Sequence, residues 1–520
     1  MALSIKNWTP FVLSASLLFL AFPPFHLVIP SFVALIPITA WIIDRENSKE
    51  GRNQAFWGGF LFGISYWGLI LYWIPVTLWK ISPWSTPAYL VLIVILASFK
   101  ACFAWSLHRL VHEVSISICL ALALSWTALD WILGNLPGVL SFPWLELGSS
   151  LTGYPEFIGS AELIGTRGIT FWLALINGLL LESIILFRNR INFYRLAWKT
   201  MTIALVFVIP VLWSLMRAKT LVISPVGEVT IIQPNVTEKN NMDSGNVAET
   251  TFLSLNQLKL NKANVSSDLT VLPEATFWNR IESNSAIQTR LMETFSVWAS
   301  PVLFGGIGTS EDGLELTDYN SAFLLDPRRG LSEFRYDKHY LVPWFETMPL
   351  SMFQWRTTSR LFTEYGKGLD PVIGELDNHM KFGVLICYES IFAKHARLLR
   401  TKGADILVNI TNDSWLQSEW GSVQYRTFAF WQHPSHLIMR AIENRIGIVR
   451  SANTGFSFFV DPLGQTYGQL ESSKLTSGSG TVYSTEGLTL YARWGDVVGL
   501  TSFLGLVFCL VNIRFSRKGA

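Results

Sequence analysis

Long uncharged apolar runs dominate the first 217 residues of the chain. Helices need about 20 mostly apolar residues to cross the hydrocarbon layer of a bilayer. Runs that approach or meet this length are residues 11–22, 25–43, 55–79, 81–99, 114–129, 168–181 and 201–216, and Val497–Ile513 near the end of the chain. The first is short enough for a signal peptide, but another apolar run follows it at once. The pattern predicts seven spans, a large polar segment and an eighth span.

The long segment between the last two spans has a different periodicity. Short runs rich in Val, Ile, Leu and Phe occur at residues 229–233, 269–272, 302–306, 321–325, 382–386, 406–410, 446–450 and 456–460. Several are nearly continuous, which is typical of strands covered on both faces. Helical patterns lie between them, for example at 389–402 and 433–444, and a Gly/Ser-rich loop is expected at 472–480. Alternating strands and helices indicate an α/β layered domain.

Charge supports this division of the chain. Only 22 of the 78 charged residues lie in the first 217 positions, whereas the chain as a whole is 15% charged and 14% aromatic. The net charge of +2 gives no reason to expect a nucleic-acid partner. We predict a membrane domain at 1–218, a soluble domain at 219–493, and a last span with its tail at 494–520.

Basic residues predict the orientation of the spans. With a cytoplasmic N-terminus, thirteen Lys and Arg residues, Lys100 among them, fall in or beside inside loops, against Lys80 and Arg167 outside. Cytoplasmic loops carry an excess of such residues. We therefore expect both termini in the cytoplasm and the soluble domain on the opposite side of the membrane.

Cys387 is the candidate nucleophile. It is the only one of four cysteines in the soluble domain, since Cys102, Cys119 and Cys509 fall in or beside apolar runs. An apolar strand pattern ends at Cys387 and a helical pattern follows. A thiol at the start of a helix is favoured as thiolate by the helix dipole.

Two charged residues follow or border strand patterns in the same domain. Glu274 comes directly after the run Val271-Leu-Pro273, and Lys338 lies between aromatic residues before Leu341-Val-Pro343. Burying a lone carboxylate or ammonium is costly, so such residues are usually paired or used in chemistry.

These motifs, in this order, resemble the signature elements of the nitrilase superfamily. They are Leu-Pro-Glu274, the run from Lys338 through Leu341-Val-Pro343 to Glu346, and Cys387-Tyr-Glu389. With the flanking segments 411–415, 440–443 and 450–456 and the predicted spans, the whole chain resembles the bacterial apolipoprotein N-acyltransferase family, a membrane branch of this superfamily.

The resemblance implies an αββα sandwich with a Cys–Glu–Lys triad. Cys387 would attack the acyl ester of a phospholipid such as phosphatidylethanolamine, Glu274 would take the thiol proton, and Lys338 would stabilise the oxyanion. The acyl chain would pass through a thioester to the N-terminal amine of a diacylglyceryl-cysteine apolipoprotein, completing lipoprotein maturation. Glu346, Tyr388 and Glu389 would support the site. The resemblance implies a monomer in the bacterial inner membrane with a periplasmic domain, and requires no cofactor or metal.

The sequence departs from the family pattern near Glu346. Trp344-Phe345 stands where the family often has Phe-Gly, and a Trp common after the first strand is not evident in 233–242. Aromatic residues are concentrated after Lys338 and after the strand ending near Ile410. They either fill the core or form loops that gate acyl chains at the bilayer, with Trp344, Trp415 and Trp420 as candidates.

Two other functions fit parts of the sequence. A membrane-tethered amidase or nitrilase would use the same triad on a small C–N substrate, although eight spans exceed what a tether needs. A transporter with an exported cap would carry ionisable residues within its spans. Asp130, Glu146 and Glu182 fall near predicted span ends or in loops.

Overall fold

The computed structural model describes residues 8–79, 85–190, 193–236, 247–258, 267–298, 300–312, 315–343, 345–347, 364–420 and 423–516. The N-terminal part of these residues is helical. Its helices are α1 (Thr9–Ala21), α2 (Val28–Val33), α3 (Ile36–Ile43), α4 (Lys49–Ile70), α5 (Trp73–Leu78), α6 (Ser85–His112), α7 (Ile118–Gly134), α8 (Ala161–Arg188) and α9 (Phe193–Thr220).

Three of these helices, α6, α8 and α9, are long and apolar enough to cross a membrane. Shorter apolar helices cover Thr9–Ala21, Val28–Ile43, Ile118–Gly134 and Val497–Ile513. The predicted span at 25–43 is two helices, and Pro37 lies in the first turn of the second, where its missing N–H is tolerated. The predicted span at 55–79 is likewise divided between α4 and α5. The helical region thus holds candidate spans, and the count of eight stays a prediction.

Lys100 is not a loop residue, contrary to its place in the predicted inside set. It lies within α6 and is buried. Its ammonium donates a 2.9 Å hydrogen bond to Asp130 of α7 and lies 3.6 Å from the centre of the Trp126 ring. The counter-ion and the ring together allow this charge to lie inside the helical bundle.

The second part of the chain contains two mixed β-sheets. Their strands are β1 (Ser224–Gln233), β2 (Leu269–Val271), β3 (Phe277–Arg280), β4 (Val302–Asp312), β5 (Glu315–Asp326), β6 (Gly330–Asp337), β7 (Ile373–Glu375), β8 (Lys381–Ile386), β9 (Ile406–Thr411), β12 (Gly447–Ala452), β13 (Phe458–Val460), β14 (Thr466–Tyr467) and β15 (Thr476–Ser484). The first sheet has the order β15-β1-β2-β4-β5-β6, with β3 also paired to β4, and the second has the order β14-β13-β12-β9-β8-β7. A separate hairpin joins β10 (Gln417–Trp420) to β11 (Val423–Arg426).

The sheets pack face to face and are covered by helices, which gives the expected αββα layers. Val229, Val271 and Leu303 of the first sheet share one core with Val384 and Val408 of the second. The first sheet is covered by α10 (Val247–Gln257) and α11 (Ser285–Phe295). The second is covered by α12 (Ala393–Thr401) and α13 (Ala429–Asn444), and α14 (Leu490–Trp494) and α15 (Val497–Ser516) complete the chain. The predicted α/β layered domain is confirmed.

The Gly/Ser-rich segment at 472–480 is only partly the loop that its composition predicts. Residues from Thr476 onward belong to β15, which pairs antiparallel with β1 along its length. Backbone pairing does not require large side chains, and a Cβ at Gly480 would lie 2.9 Å from the ring of Phe459. Small residues here let the strand lie close to this ring.

The α/β domain is attached to the helical region through buried polar contacts of α13. Glu443 accepts hydrogen bonds from the backbone N–H and the hydroxyl of Thr166 in α8, at 2.8 and 2.5 Å. The indole N–H of Trp144, between α7 and α8, donates to Oε1 of Gln432 at 3.1 Å. These contacts fix one edge of the α/β domain against the candidate spans.

Candidate active site

Cys387 lies at a sharp turn between a buried strand and a short helix. It directly follows β8 and begins a single 3₁₀ turn, Cys387–Ile391. Its φ of +50° is in the left-handed region, which non-glycine residues rarely adopt and which costs roughly 1–3 kcal/mol. Strain of this kind is often found at functional sites. The turn presents a side chain that is only 4% exposed.

Glu274 is held at the end of β2 by three hydrogen-bond donors. Its Oε1 accepts from Nδ2 of Asn320 at 2.8 Å and from Nζ of Lys338 at 3.0 Å, and its Oε2 accepts from the backbone N–H of Asn412 at 3.0 Å. Gly305 of β4 packs directly against it, since a Cβ there would lie 2.8 Å from Cα of Glu274. Gly305 belongs to a glycine-rich run in β4, residues 305–308, and its lack of a side chain allows this close packing.

Lys338 is a buried ammonium placed between two carboxylates. It follows β6 directly, is 1% exposed, and contacts Oε1 of Glu346 at 2.9 Å as well as Glu274. Nδ2 of Asn320 also donates to Glu346, at 2.7 Å. Burial acts to lower the pKa of Lys338, but Glu274, Glu346 and Cys387 raise it well above its usual value. The ammonium form is therefore the stable one.

The thiol of Cys387, unlike the ammonium of Lys338, is most stable in its uncharged form. Burial, and then the charge of Glu274, raise its pKa well above the usual value, and Lys338 only partly offsets them. The expectation of a thiolate favoured by the helix dipole is thus wrong, because the helix after Cys387 is one short turn and desolvation dominates. The resting group is a neutral thiol, and a base must take its proton.

Two family models match separate segments of the chain, and known proteins are similar to it over nearly its full length. Residues 14–179 match the model of the apolipoprotein N-acyltransferase N-terminal domain, and residues 229–484 match that of the carbon-nitrogen hydrolases. An apolipoprotein N-acyltransferase of Geobacter metallireducens is 29% identical over 99% of this chain and 97% of its own. That of Chlorobaculum tepidum is 25% identical over 95% of each. The chain is thus similar over nearly its full length to the apolipoprotein N-acyltransferases. Among solved structures, an amidase from Nesterenkonia sp. is 16% identical and covers 53% of this chain and 95% of its own, with a TM-score of 0.34.

The carboxylate of Glu389 links the strand that ends before Cys387 to the segment that carries Lys338. Its fully buried carboxylate accepts from the backbone N–H of Ile386 at 2.7 Å, beside Cys387. It also accepts from the backbone N–H of His339 at 2.7 Å and from the hydroxyl of Tyr336, so it holds the segment around Lys338. Burial raises the pKa of Glu389 to about 7.

Tyr388 is buried beside Cys387. Its ring packs edge-on against Phe392 with centroids 5.2 Å apart. Within the described part of the chain, its hydroxyl has no hydrogen-bond partner. A buried hydroxyl without a partner is costly, which fits a group that meets a substrate.

Two polar residues of the site were missed by sequence reasoning. Asn320 lies in β5, next to the predicted strand 321–325, and links Glu274 to Glu346. Asn412 was noted only as part of a flanking motif, although its backbone positions Glu274. An amide beside an otherwise apolar strand was the available signal for Asn320.

A cavity of about 250 Å³ opens beside Glu274. Polar and aromatic side chains line it, among them Trp278, Asn412, Ser414 and Asn453. The carboxylate of Glu274 is the only charged group among these lining residues, so the cavity suits an uncharged or amine-bearing substrate portion.

The candidate gating residues are only partly covered by the structure. Trp344 and the side chain of Trp420 lie outside the described residues. Trp415 packs between the two parts of the protein, with its ring 5.7 Å from Trp73 of α5 and 6.1 Å from Phe345. It thus connects the helical region to the residue next to Glu346.

Proposed function

We propose that Cys387, Glu274 and Lys338 are the catalytic triad of an acyltransferase with two lipid substrates. The donor is a phospholipid, phosphatidylethanolamine, and the acceptor is the N-terminal amine of a diacylglyceryl-cysteine apolipoprotein. The observation that carries the proposal is the buried ammonium of Lys338, held against Glu274 and close enough to Cys387 to act on the pKa of its thiol.

In the first step, the sulfur of Cys387 attacks the ester carbonyl of the donor while Glu274 accepts the thiol proton. Lys338 uses two N–H groups on Glu274 and Glu346, and its third can donate to the developing oxyanion. The intermediate collapses by breaking the C–O ester bond. Glu274 returns the proton to the leaving oxygen, which releases a lysophospholipid and leaves a thioester on Cys387.

In the second step, the acceptor amine attacks the thioester carbonyl. The amine nitrogen gives up a proton to Glu274, the C–S bond breaks, and the thiol of Cys387 is restored with that proton. The product carries an amide-linked third acyl chain. Two half-reactions through one covalent intermediate give ping-pong kinetics, and no cofactor takes part.

The location of the site fits substrates that come from a bilayer. The α/β domain is attached through α13 to the helical region, and Trp415 contacts α5. We also propose eight spans, an inner-membrane location, a periplasmic catalytic domain, cytoplasmic termini and a monomeric enzyme, as the basic residues and the family resemblance suggest.

Intact-mass measurement of the purified protein with phosphatidylethanolamine tests the proposal. We expect a hydroxylamine-sensitive acyl adduct on the wild type that is absent in Cys387→Ala, and its discharge when a diacylated lipopeptide is added. A folded wild-type protein that forms no adduct would contradict the mechanism. Discharge by water as fast as by the lipopeptide would instead favour a membrane-bound amidase.

A further inference from the structure

A buried histidine outside the triad contacts the backbone of the nucleophile. His433 lies in α13, and its Nε2 is 3.1 Å from the carbonyl oxygen of Cys387. The same nitrogen is 3.1 Å from the hydroxyl of Ser390, in the short turn that Cys387 begins. The imidazole therefore contacts the backbone of the strained residue and the turn that follows it.

The opposite side of the ring is held by a buried ion pair. Nδ1 of His433 is 3.0 Å from Oδ1 of Asp413, and Oδ2 of Asp413 accepts a hydrogen bond from Arg450. The hydroxyl of Thr411 donates to the same carboxylate at 3.0 Å. Burial acts to raise the pKa of Asp413, but Arg450 and His433 bring it below its usual value, so the carboxylate is charged.

The orientation of the ring follows from these partners. A carboxylate and a carbonyl oxygen can only accept hydrogen bonds. Nε2 faces the carbonyl of Cys387 and can donate to it when it carries the ring hydrogen, whereas Nδ1 lies against Asp413 and 3.4 Å from Nη2 of Arg450. The chain of contacts from Arg450 through Asp413 and His433 thus ends on the peptide group that follows the nucleophile.

This peptide group matters because Cys387 has a left-handed backbone. A φ of +50° persists in a non-glycine residue only when its surroundings hold it there. Rotation of the Cys387–Tyr388 peptide plane would redirect the Cα–Cβ bond and the sulfur. A hydrogen bond to that carbonyl acts directly on this rotation.

The helical region contributes to the position of the ring. The indole of Trp144 stacks on His433 with centroids 6.3 Å apart and planes 17° from parallel, and Trp144 donates to the neighbouring Gln432. The imidazole is thus confined by Trp144 on one face and by Asp413 and Cys387 at its edges.

We propose that His433 is a positioning residue for acyl transfer: its Nε2–H holds the carbonyl of Cys387 and thereby fixes the turn that presents the sulfur to Glu274 and Lys338. The inference rests on the thioester chemistry proposed above. It assigns His433 no contact with substrate and no part in proton transfer.

Two substitutions of His433 distinguish the contact made by Nε2 from the contact made by Nδ1. His433→Gln places an amide N–H near the position of Nε2 and can still donate to Cys387, whereas His433→Asn places its amide near Nδ1 and can reach only Asp413. We expect the Asn variant to slow single-turnover acylation of Cys387 by roughly 10–100-fold, the scale of a misplaced reacting group. The Gln variant should retain a rate within about threefold of the wild type, a cost typical of one altered hydrogen bond.

The donor concentration giving half-maximal rate should change little in either variant, because His433 does not contact the donor. Ser390→Ala is the matched control: it removes the other partner of Nε2 and leaves the carbonyl contact, so acylation should remain near the wild-type rate. Thermal unfolding of each variant in detergent gives its folded fraction, and rates are compared per folded protein.

Equal rates in the Gln and Asn variants, or a loss in Ser390→Ala as large as in His433→Asn, would overturn the proposal. An effect confined to the half-maximal donor concentration would do the same. The result for the wild type distinguishes a failure of this inference from a failure of the proposed function. An acylated wild type with unaffected His433 variants disproves only the positioning role, whereas a wild type that forms no adduct disproves the acyl-transfer mechanism.

Discussion

The guanidinium of Arg445, at the C-terminal end of α13, donates a 2.8 Å hydrogen bond to Glu162 in the first turn of α8. Arg445 also donates to the carbonyl of Gly159, and Glu162 accepts from Arg217 of α9 at 2.9 Å. One buried carboxylate therefore joins two helices of the membrane region to the catalytic domain.

Removing this carboxylate should loosen the attachment of the catalytic domain. Glu162→Gln leaves the buried guanidinium of Arg445 without its counter-ion, which should lower the free energy of unfolding by about 3–5 kcal/mol. Thermal or denaturant unfolding in detergent measures the loss. Glu471→Gln, which breaks the exposed pair with Lys474, is the control and should cost no more than about 1 kcal/mol. Similar losses in both variants would contradict the structural role of Glu162.

The two neighbours of Glu274 should differ in their effect on rate. Lys338→Met removes the charge proposed to stabilise the oxyanion, and we expect acylation to fall by roughly 10²–10³-fold. Glu346→Gln keeps an oxygen that can accept from Lys338, so it should cost no more than about tenfold, the scale of one hydrogen bond. Single-turnover mass spectrometry gives both rates. A larger loss from Glu346→Gln than from Lys338→Met would assign the proton chemistry to Glu346.

The rate at which Cys387 is alkylated should depend on pH as expected for a thiol whose pKa is raised. Because the pKa of Cys387 is raised, less thiolate is present at neutral pH than in a free cysteine, and iodoacetamide should react more slowly and accelerate as the pH rises. Glu274→Gln removes a negative charge that raises this pKa, so the profile should move to lower pH. Lys338→Met removes a positive charge that lowers it, so the profile should move to higher pH.

The alkylation measurement uses a chain in which Cys102, Cys119 and Cys509 are replaced by alanine. Unfolding in detergent provides the control, since the profile should then return to that of an ordinary cysteine. Profiles that coincide in all three proteins would show that the thiol does not sense Glu274 or Lys338.

Trp415 should matter more for lipid donors than for soluble ones. Its ring contacts Trp73 of the helical region and Phe345 beside Glu346, so Trp415→Ser should impair transfer from phospholipid. Trp420→Ser tests the second candidate gating residue in the same way. A short-chain, water-soluble acyl donor should be affected less. Comparing the two donors in each variant is the measurement, and equal losses would argue against a gating role.

The sequence predicted the layered domain well because buried strands carry continuous apolar runs that need no knowledge of their partners. Its errors arose where distant contacts decide the outcome. Lys100 follows an apolar run directly, so the pattern predicts a loop position, but Asp130, on another helix, makes burial possible. The strand that begins at Thr476 starts with a run of small or polar residues and has Val482 and Tyr483 only near its end, so it is recognisable mainly through its pairing with β1.

The candidate site was predictable in its motifs but not in its electrostatics. Glu274, Lys338 and Glu346 are buried in contact with one another, and Glu389 is buried against the residue before Cys387. The role of Asn320 depends on two carboxylates that meet only in the folded chain. The state of the thiol likewise depends on how completely the fold removes it from water, which no local pattern expresses.

The uncharged resting thiol has a consequence for the lifetime of the enzyme. Oxidants attack thiolates far more readily than thiols, and the products beyond sulfenic acid are largely irreversible. The periplasm, which we propose as the location of this domain, is a compartment where oxidation is favoured. A buried and protonated Cys387 should therefore resist chemical damage between turnovers better than an exposed thiolate would.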